Sequence, residues 1–304
     1  MSHTPTAVPV DDLERAQVAF ADGTSGRLYY HPSMDQPVPS VTTVEDLRVD
    51  PDKEDALDGW RTAYDGTDKW SCPHWADQLA YKAARGTLGH YAILDQLDTV
   101  ARSEEEDDAE YKLKHWAEER PTVANRGGTY DNHDIPEEML APQGGPSHYE
   151  GEPAWDHCLR DIDWAIGEFG DVAEDYGITE SSTIATEKYV LDEEIGYSGQ
   201  FDLLYEAPDG AVVLGDLKLS SGIRIGYKLQ LAAYANALDR HVDRLQVIRL
   251  HPDSQEVEVE GSRDWGRSVT GLCHEFLGLC DRTHAEKIRP LDQQTLFGPF
   301  EDGE

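Results

Sequence analysis

The sequence predicts an α/β fold, and three observations predict it. Strand-like and helix-like runs alternate through residues 183–279, and an uninterrupted apolar run, VVL, lies at 212–214 inside one of the strands. With 38% hydrophobic residues in 304, the chain can bury one large core. A single domain over residues 1–304 is expected, carrying an insertion at 100–153.

Taken in order, residues 17–30 hold alternating segments around a Gly-Thr-Ser-Gly turn, which predicts a hairpin leading into the proline-rich stretch 31–39. Residues 56–100 have helical periodicity. Between 100 and 153, SEEEDD, RGG, PQGGP and isolated prolines leave little periodicity beyond a helix near 109–119, so the stretch reads as an insertion or a mobile flap. Residues 155–176 read as an amphipathic helix, and 183–191 and 199–206 as strands. A Pro-Asp-Gly turn at 208–210 leads into a strand at 211–219, a helix at 226–238, strands at 244–250 and 256–260, and a closing helix at 265–279. There is no internal repeat.

The formal charge is -35, from 26 basic and 61 acidic residues, and only nine of the basic ones are lysine. Such a charge fits a disordered chain or a folded one covered with acid; seven Trp and fourteen Tyr favour folding. Acid spread along the whole length with few lysines resembles proteins of salt-loving archaea, whose internal salt screens the self-repulsion. The N-terminal residues lack the basic and apolar runs of a signal peptide, and no stretch approaches the roughly 18 apolar residues of a membrane span. A cytoplasmic protein with no membrane partner is expected. Cys72, Cys158, Cys273 and Cys280 form no CxxC pair, so free thiols are expected.

The chemistry concentrates in GQFDLLYEAPDGAVVLGDLKLSSG. Asp202 and Asp216 fall on neighbouring strands joined by a short turn, and Lys218 follows Asp216 by two, so both project from one side of their strand. Hard oxygen ligands of this kind suit Mg²⁺ or Mn²⁺, which can polarise a phosphodiester oxygen and activate water, while a fixed lysine offsets developing charge. D-x-K alone also describes a solvated strand edge.

The order GYSGQFD, VVLGDLK, KLQLAAYANAL resembles the PD-(D/E)xK nuclease superfamily, in its RecB-like and phage-type exonuclease branch. Upstream, PSVTTV at 39–44, LDGWR at 57–61 and ARGTLGH ending at His90 follow the order found in phage exonucleases and the mitochondrial genome maintenance exonuclease. The resemblance implies a restriction-endonuclease-like core with a mixed central sheet flanked by helices, its catalytic part at 183–250. It implies Asp202 and Asp216 as metal carboxylates, Lys218 as the catalytic lysine and His90 as a further metal ligand or a residue that shapes the site. Glu187, Gln230 and Tyr234 match a glutamate, glutamine and tyrosine of that pattern, which implies them as further catalytic-site residues, Glu187 on or next to the metal and the other two supporting the site. Phe201 stands where proline is usual before the aspartate, and Leu219 where threonine is common after the lysine.

Each assignment has a plainer counterpart. His90 reads also as a core histidine, Glu187 as a solvated strand residue, and Gln230 with Tyr234, four apart on one helix face, as packing. Cys72 sits where related iron-sulfur nucleases place their first cysteine, but a cluster would have to recruit Cys158, so none is expected. Residues 217–250 hold six basic and two acidic residues, a local excess of four positive charges that predicts a nucleic-acid contact strip including Arg224 and Lys228. The expected function is Mg²⁺- or Mn²⁺-dependent DNA hydrolysis, exonucleolytic, in replication, recombination or repair, in a haloarchaeon or its virus. DNA is the expected partner, with a helicase or recombination protein as a candidate second one, since no GxxxxGK[ST] motor loop is present. The alternatives are a catalytically idle DNA-binding or assembly subunit that keeps the fold, and an acidic DNA mimic.

Overall fold

In the computed structural model of the chain, the described residues are 13–31, 34–48, 75–94, 97 and 154–301. The insertion expected at 100–153, the helix expected near 109–119, the LDGWR segment and Cys72 lie outside them. The protein is α/β, built on a five-stranded mixed sheet.

Strands β1 (Glu14–Ala19) and β2 (Ser25–Tyr30) form the expected hairpin, and β3 (Val38–Pro39) adds to β2 to complete a small antiparallel sheet. Helix α1 (Val41–Glu45) follows at once. Its start is fixed by Ser40, whose hydroxyl accepts from the Thr43 N–H at 3.0 Å. Helices α2 (Trp75–Leu94) and α3 (Ala154–Tyr176) pack together ahead of the main sheet.

That sheet has the order β4 (Thr183–Asp192), β5 (Tyr197–Glu206), β6 (Val212–Leu219), β7 (Arg244–His251), β8 (Glu256–Gly261). All neighbours are antiparallel except β6 and β7, which are parallel because helix α4 (Ile225–Ala237) carries the chain between them. The apolar β6 and β7 sequences follow from burial on both sides. Leu214, Leu245 and Val247 pack on α4, α1 and helix α5 (Val269–Thr283), whereas Val213, Leu217, Ile248 and Leu250 pack on α2 and α3. The result is a sheet between two helical layers.

The closing helix starts at Val269, four residues later than expected. Trp265 is buried as part of the core, and Ser268 supplies the cap by accepting from the Gly271 N–H at 3.1 Å. A π-helical turn (His284–Ile288) and helix α6 (Gln293–Glu301) extend the chain beyond the last expected element. They cover the N-terminal sheet through Leu296 and Ile288 against Val18, Phe20 and Leu28. Among the described residues no helix is long and apolar enough to cross a membrane.

Candidate metal centre

Antiparallel register assembles most of the site. In the β4–β5 ladder Thr186 faces Leu203 and Lys188 faces Phe201, so Glu187 falls opposite Asp202. In the β5–β6 ladder Leu203 faces Gly215, so Asp216 is the next position along, opposite Asp202. Three carboxylates from three adjacent strands therefore lie in one row across the sheet.

Lys218 donates to Asp216 Oδ1 at 2.7 Å and lies 3.8 Å from Asp202 Oδ2, as the spacing of two on a strand predicts. Asp202 Oδ2 also accepts the Leu217 backbone N–H at 2.7 Å, which fixes its carboxylate against β6. From the other layer, His90 on α2 brings its Nδ1 to 3.6 Å from the same oxygen. Gly89 permits that approach: a Cβ there would sit 2.4 Å from Leu219 Cδ2, so α2 rests directly on β6.

Burial sets the protonation of these groups. It pushes the Glu187 carboxyl up to about 8, reinforced by the charge of Asp202, and Asp216 up to about 7 despite the opposing pull of Lys218. Burial disfavours the Lys218 ammonium, but Asp216 and Asp202 outweigh it and hold the lysine charged. The His90 imidazole is driven below its ordinary value by burial, against the charge of Asp202. Glu187 also sits in the left-handed region at φ 49, with its carbonyl accepting from Gln200 Nε2 at 2.9 Å. A strained backbone at a half-buried acid is a feature that strand stability does not require.

His90, Glu187 and Asp202 offer ligand atoms that all lie within 4.8 Å of one another. Mg²⁺ binds oxygen at about 2.0–2.1 Å, so ligands across the ion are roughly 4.2 Å apart and a small contraction would close this group on it. Asp216 adds a buried Oδ2 that has no hydrogen-bond partner, a lone pair that a cation would satisfy. Carboxylate oxygens with one imidazole fit Mg²⁺ or Mn²⁺. The sequence assigns His90, Asp202 and Asp216 to the metal; the geometry groups Glu187 with His90 and Asp202, and puts Asp216 beside Lys218.

Gln230 and Tyr234 stand together on α4, with the Gln230 amide donating to the Tyr234 hydroxyl at 2.8 Å. The buried Tyr234 ring lies on β5 against Gly199, where a Cβ would come within 2.5 Å of Cε1. Both therefore stand on the α4 side of the sheet, with Tyr234 packed on β5. Tyr227, at the start of α4, has Lys218 Nζ 5.2 Å from its ring centroid and is a neighbour that the sequence does not single out.

The predicted cationic strip is not presented as a unit. Lys228 donates to Glu260 at 2.6 Å and lies over Trp265, Arg244 pairs with Asp209, and Arg249 is buried against Glu258 at 2.9 Å. Arg224 is exposed at the N-terminus of α4. Composition counts cations without locating the acids that neutralise them, and that is why the strip looked continuous. The described cysteines divide between layers: Cys158 is on α3, while Cys273 and Cys280 are on α5 across the sheet. A cleft of about 780 Å³ lined by Asp192, Asn236 and Cys273 includes none of the candidate site residues.

No family model matches the chain, and no curated protein does. Among solved structures, the crystal structure of SSO0001 is similar at 15% identity with a TM-score of 0.28, over 46% of this chain and 64% of that one. The chain thus spans less than two thirds of that protein, and so slight a likeness carries no argument about function.

Proposed function

We propose that the protein is a Mg²⁺- or Mn²⁺-dependent deoxyribonuclease, acting as an exonuclease in DNA replication, recombination or repair. One observation carries the reading: Glu187, Asp202 and Asp216 line up across three strands with Lys218 and His90 converging on them, although burying so many ionisable groups together is costly. A cation offsets that cost.

Asp202, Glu187 and His90 would hold the ion, with Asp216 completing the set. A bound Mg²⁺ or Mn²⁺ supplies Lewis-acid polarisation of the phosphodiester and activation of water. Lys218, kept charged by Asp216, orients the attacking water by hydrogen bonding and neutralises charge on the phosphate as it develops. Tyr234 holds α4 on β5, with Gln230 bonded to its hydroxyl. The acid-covered surface fits work in concentrated salt, where repulsion between chain and DNA is screened over about 3 Å at 1 M.

The test is end-labelled single- and double-stranded DNA incubated at about 1 M KCl, a screened regime, with Mg²⁺, Mn²⁺ or a chelator. Metal-dependent shortening of the label is expected, and its loss in Asp202→Asn. DNA binding without cleavage under either metal would replace this reading with the idle DNA-binding subunit.

A further inference from the structure

Several cations of this acidic chain are matched by a carboxylate. Lys228, Arg244, Arg249, Arg267 and Lys287 each meet an acid within ion-pair range. Two arginines of the β1–β2 hairpin differ. Arg15 and Arg27 are exposed, and among the described residues no carboxylate pairs with either.

Register places them together. Arg15 faces Tyr29 and Gln17 faces Arg27, so Arg15, Gln17, Arg27 and Tyr29 share one face of the hairpin. Its other face, with Val18 and Leu28, is buried under α6. Arg15 and Arg27 are diagonal neighbours, about 7–8 Å apart at the backbone and within mutual reach of long side chains.

That face borders the metal centre. Tyr29 packs edge-on against Tyr189 of β4 at 5.7 Å, and Tyr189 is two residues from Glu187. The Arg15 charge is felt at Glu187 itself, and Arg27 reaches the Tyr29 side chain. Two guanidinium groups that no described carboxylate pairs with therefore stand beside a carboxylate cluster on a chain at -35. Planar guanidinium forks match phosphate oxygens in pairs, and a polyanion is the ligand whose charge complements them.

We propose that Arg15 and Arg27, with Gln17 between them, form a phosphate-binding face that leads the backbone of a single nucleic acid strand into the metal centre. This rests on the nuclease reading and adds a substrate contact on the hairpin to the exposed Arg224 of the 217–250 stretch.

The test compares the wild-type chain with R15Q/R27Q, using a fluorescent single-stranded oligonucleotide in Ca²⁺ for binding and in Mn²⁺ for cleavage. Kd and KM are expected to rise roughly 10-fold with a smaller fall in kcat. The slope of log K against log [KCl] should shrink by about 1.4, the loss of two single-strand phosphate contacts at roughly 0.7 each. An unchanged melting temperature excludes unfolding, and R15K/R27K is expected to recover part of the slope. On thymidine 5′-p-nitrophenyl phosphate, too short to span both sites, the defect should shrink. A wild type that cuts DNA while R15Q/R27Q keeps its KM and salt slope overturns this proposal alone; a wild type that neither binds nor cuts overturns the nuclease reading with it.

Discussion

At the scale of single residues, the site is a set of charges that oppose one another and invite a cation. Asp202→Asn keeps an oxygen to accept the Leu217 N–H but removes a negative charge, so the fold should survive while metal-dependent cleavage is lost; near wild-type turnover would remove Asp202 from the ligand set. Lys218→Ala should retain metal binding, measured by calorimetry, and slow single-turnover cleavage by roughly 10²-fold, the scale of one electrostatic contributor. Proton linkage gives a third expectation. Glu187, up to about 8, and Asp216, up to about 7, bind protons more tightly folded than unfolded. Their contribution to stability is full below the unfolded carboxylate range near 4 and is lost as pH rises through 7 to 8. The metal-free melting temperature is therefore expected to fall between pH 5 and about pH 9, and Mn²⁺ to restore it most at the alkaline end, since the ion displaces those protons. A metal-free melting curve indifferent to pH across that window would mean these carboxyls are not buried together. Asp202, Asp216 and Lys218 were legible because strand spacing and a short turn fix their juxtaposition locally. The position of Glu187 against Asp202 depends on a ladder register that the sequence leaves open.

At the scale of elements, two close contacts decide how the layers meet the sheet. Gly199 on β5 lets α4 settle through Tyr234, so Gly199→Ala should drive the ring back and cost about 1–3 kcal/mol, the usual penalty of overpacking. Chemical denaturation would read that loss, and a midpoint equal to wild type would show that Tyr234 yields freely. On the other layer, Arg85 of α2 is buried and donates to Asp161 of α3 at 2.5 Å and to Asp253 after β7 at 2.6 Å. These contacts tie three elements together close to His90. Removing the guanidinium takes a charge partner from the buried Asp161, while Asp253 keeps Lys82 at 3.6 Å, so Arg85→Ala is expected to cost about 3–5 kcal/mol. Arg85 lies inside ARGTLGH, yet its role was not legible, because its partners are 76 and 168 residues away in sequence. The strands from β4 to β8 were legible almost to the residue, since apolar runs and turn residues bound each of them. Helix α1 and strand β3 were not, because five and two residues carry no periodicity. The closing π-turn and α6 escaped for a related reason: Pro299 lies inside α6 and ordinarily argues against a helix.

At the scale of the whole molecule, the acidity and the proposed activity pull in opposite directions, and salt is what reconciles them. At -35 the chain repels itself and any polyanion, with the repulsion extending over about 10 Å at 0.1 M salt and about 3 Å at 1 M. Ion pairs such as Arg282 with Glu286 stand on the surface, where each contributes at most about 1 kcal/mol, too little to hold the fold against that field. Stability should therefore rise with KCl, and far-UV helical signal should fall on dilution to low salt. Cleavage responds to two terms of opposite sign. Counterion release weakens each phosphate contact as salt rises, which for the two arginines of the hairpin amounts to a log–log slope of only about -1.4. Screening of the remaining negative charge acts the other way on both compactness and approach of the strand. With so few phosphate contacts the second effect should dominate, so metal-dependent cleavage is expected to be greatest above about 1 M KCl, where screening is short-ranged. An ordinary basic nuclease loses activity over the same range. Full cleavage with an unchanged spectrum at about 0.1 M KCl, where the field is long-ranged, would show that the acidic surface is not matched to salt and that the screening argument is wrong.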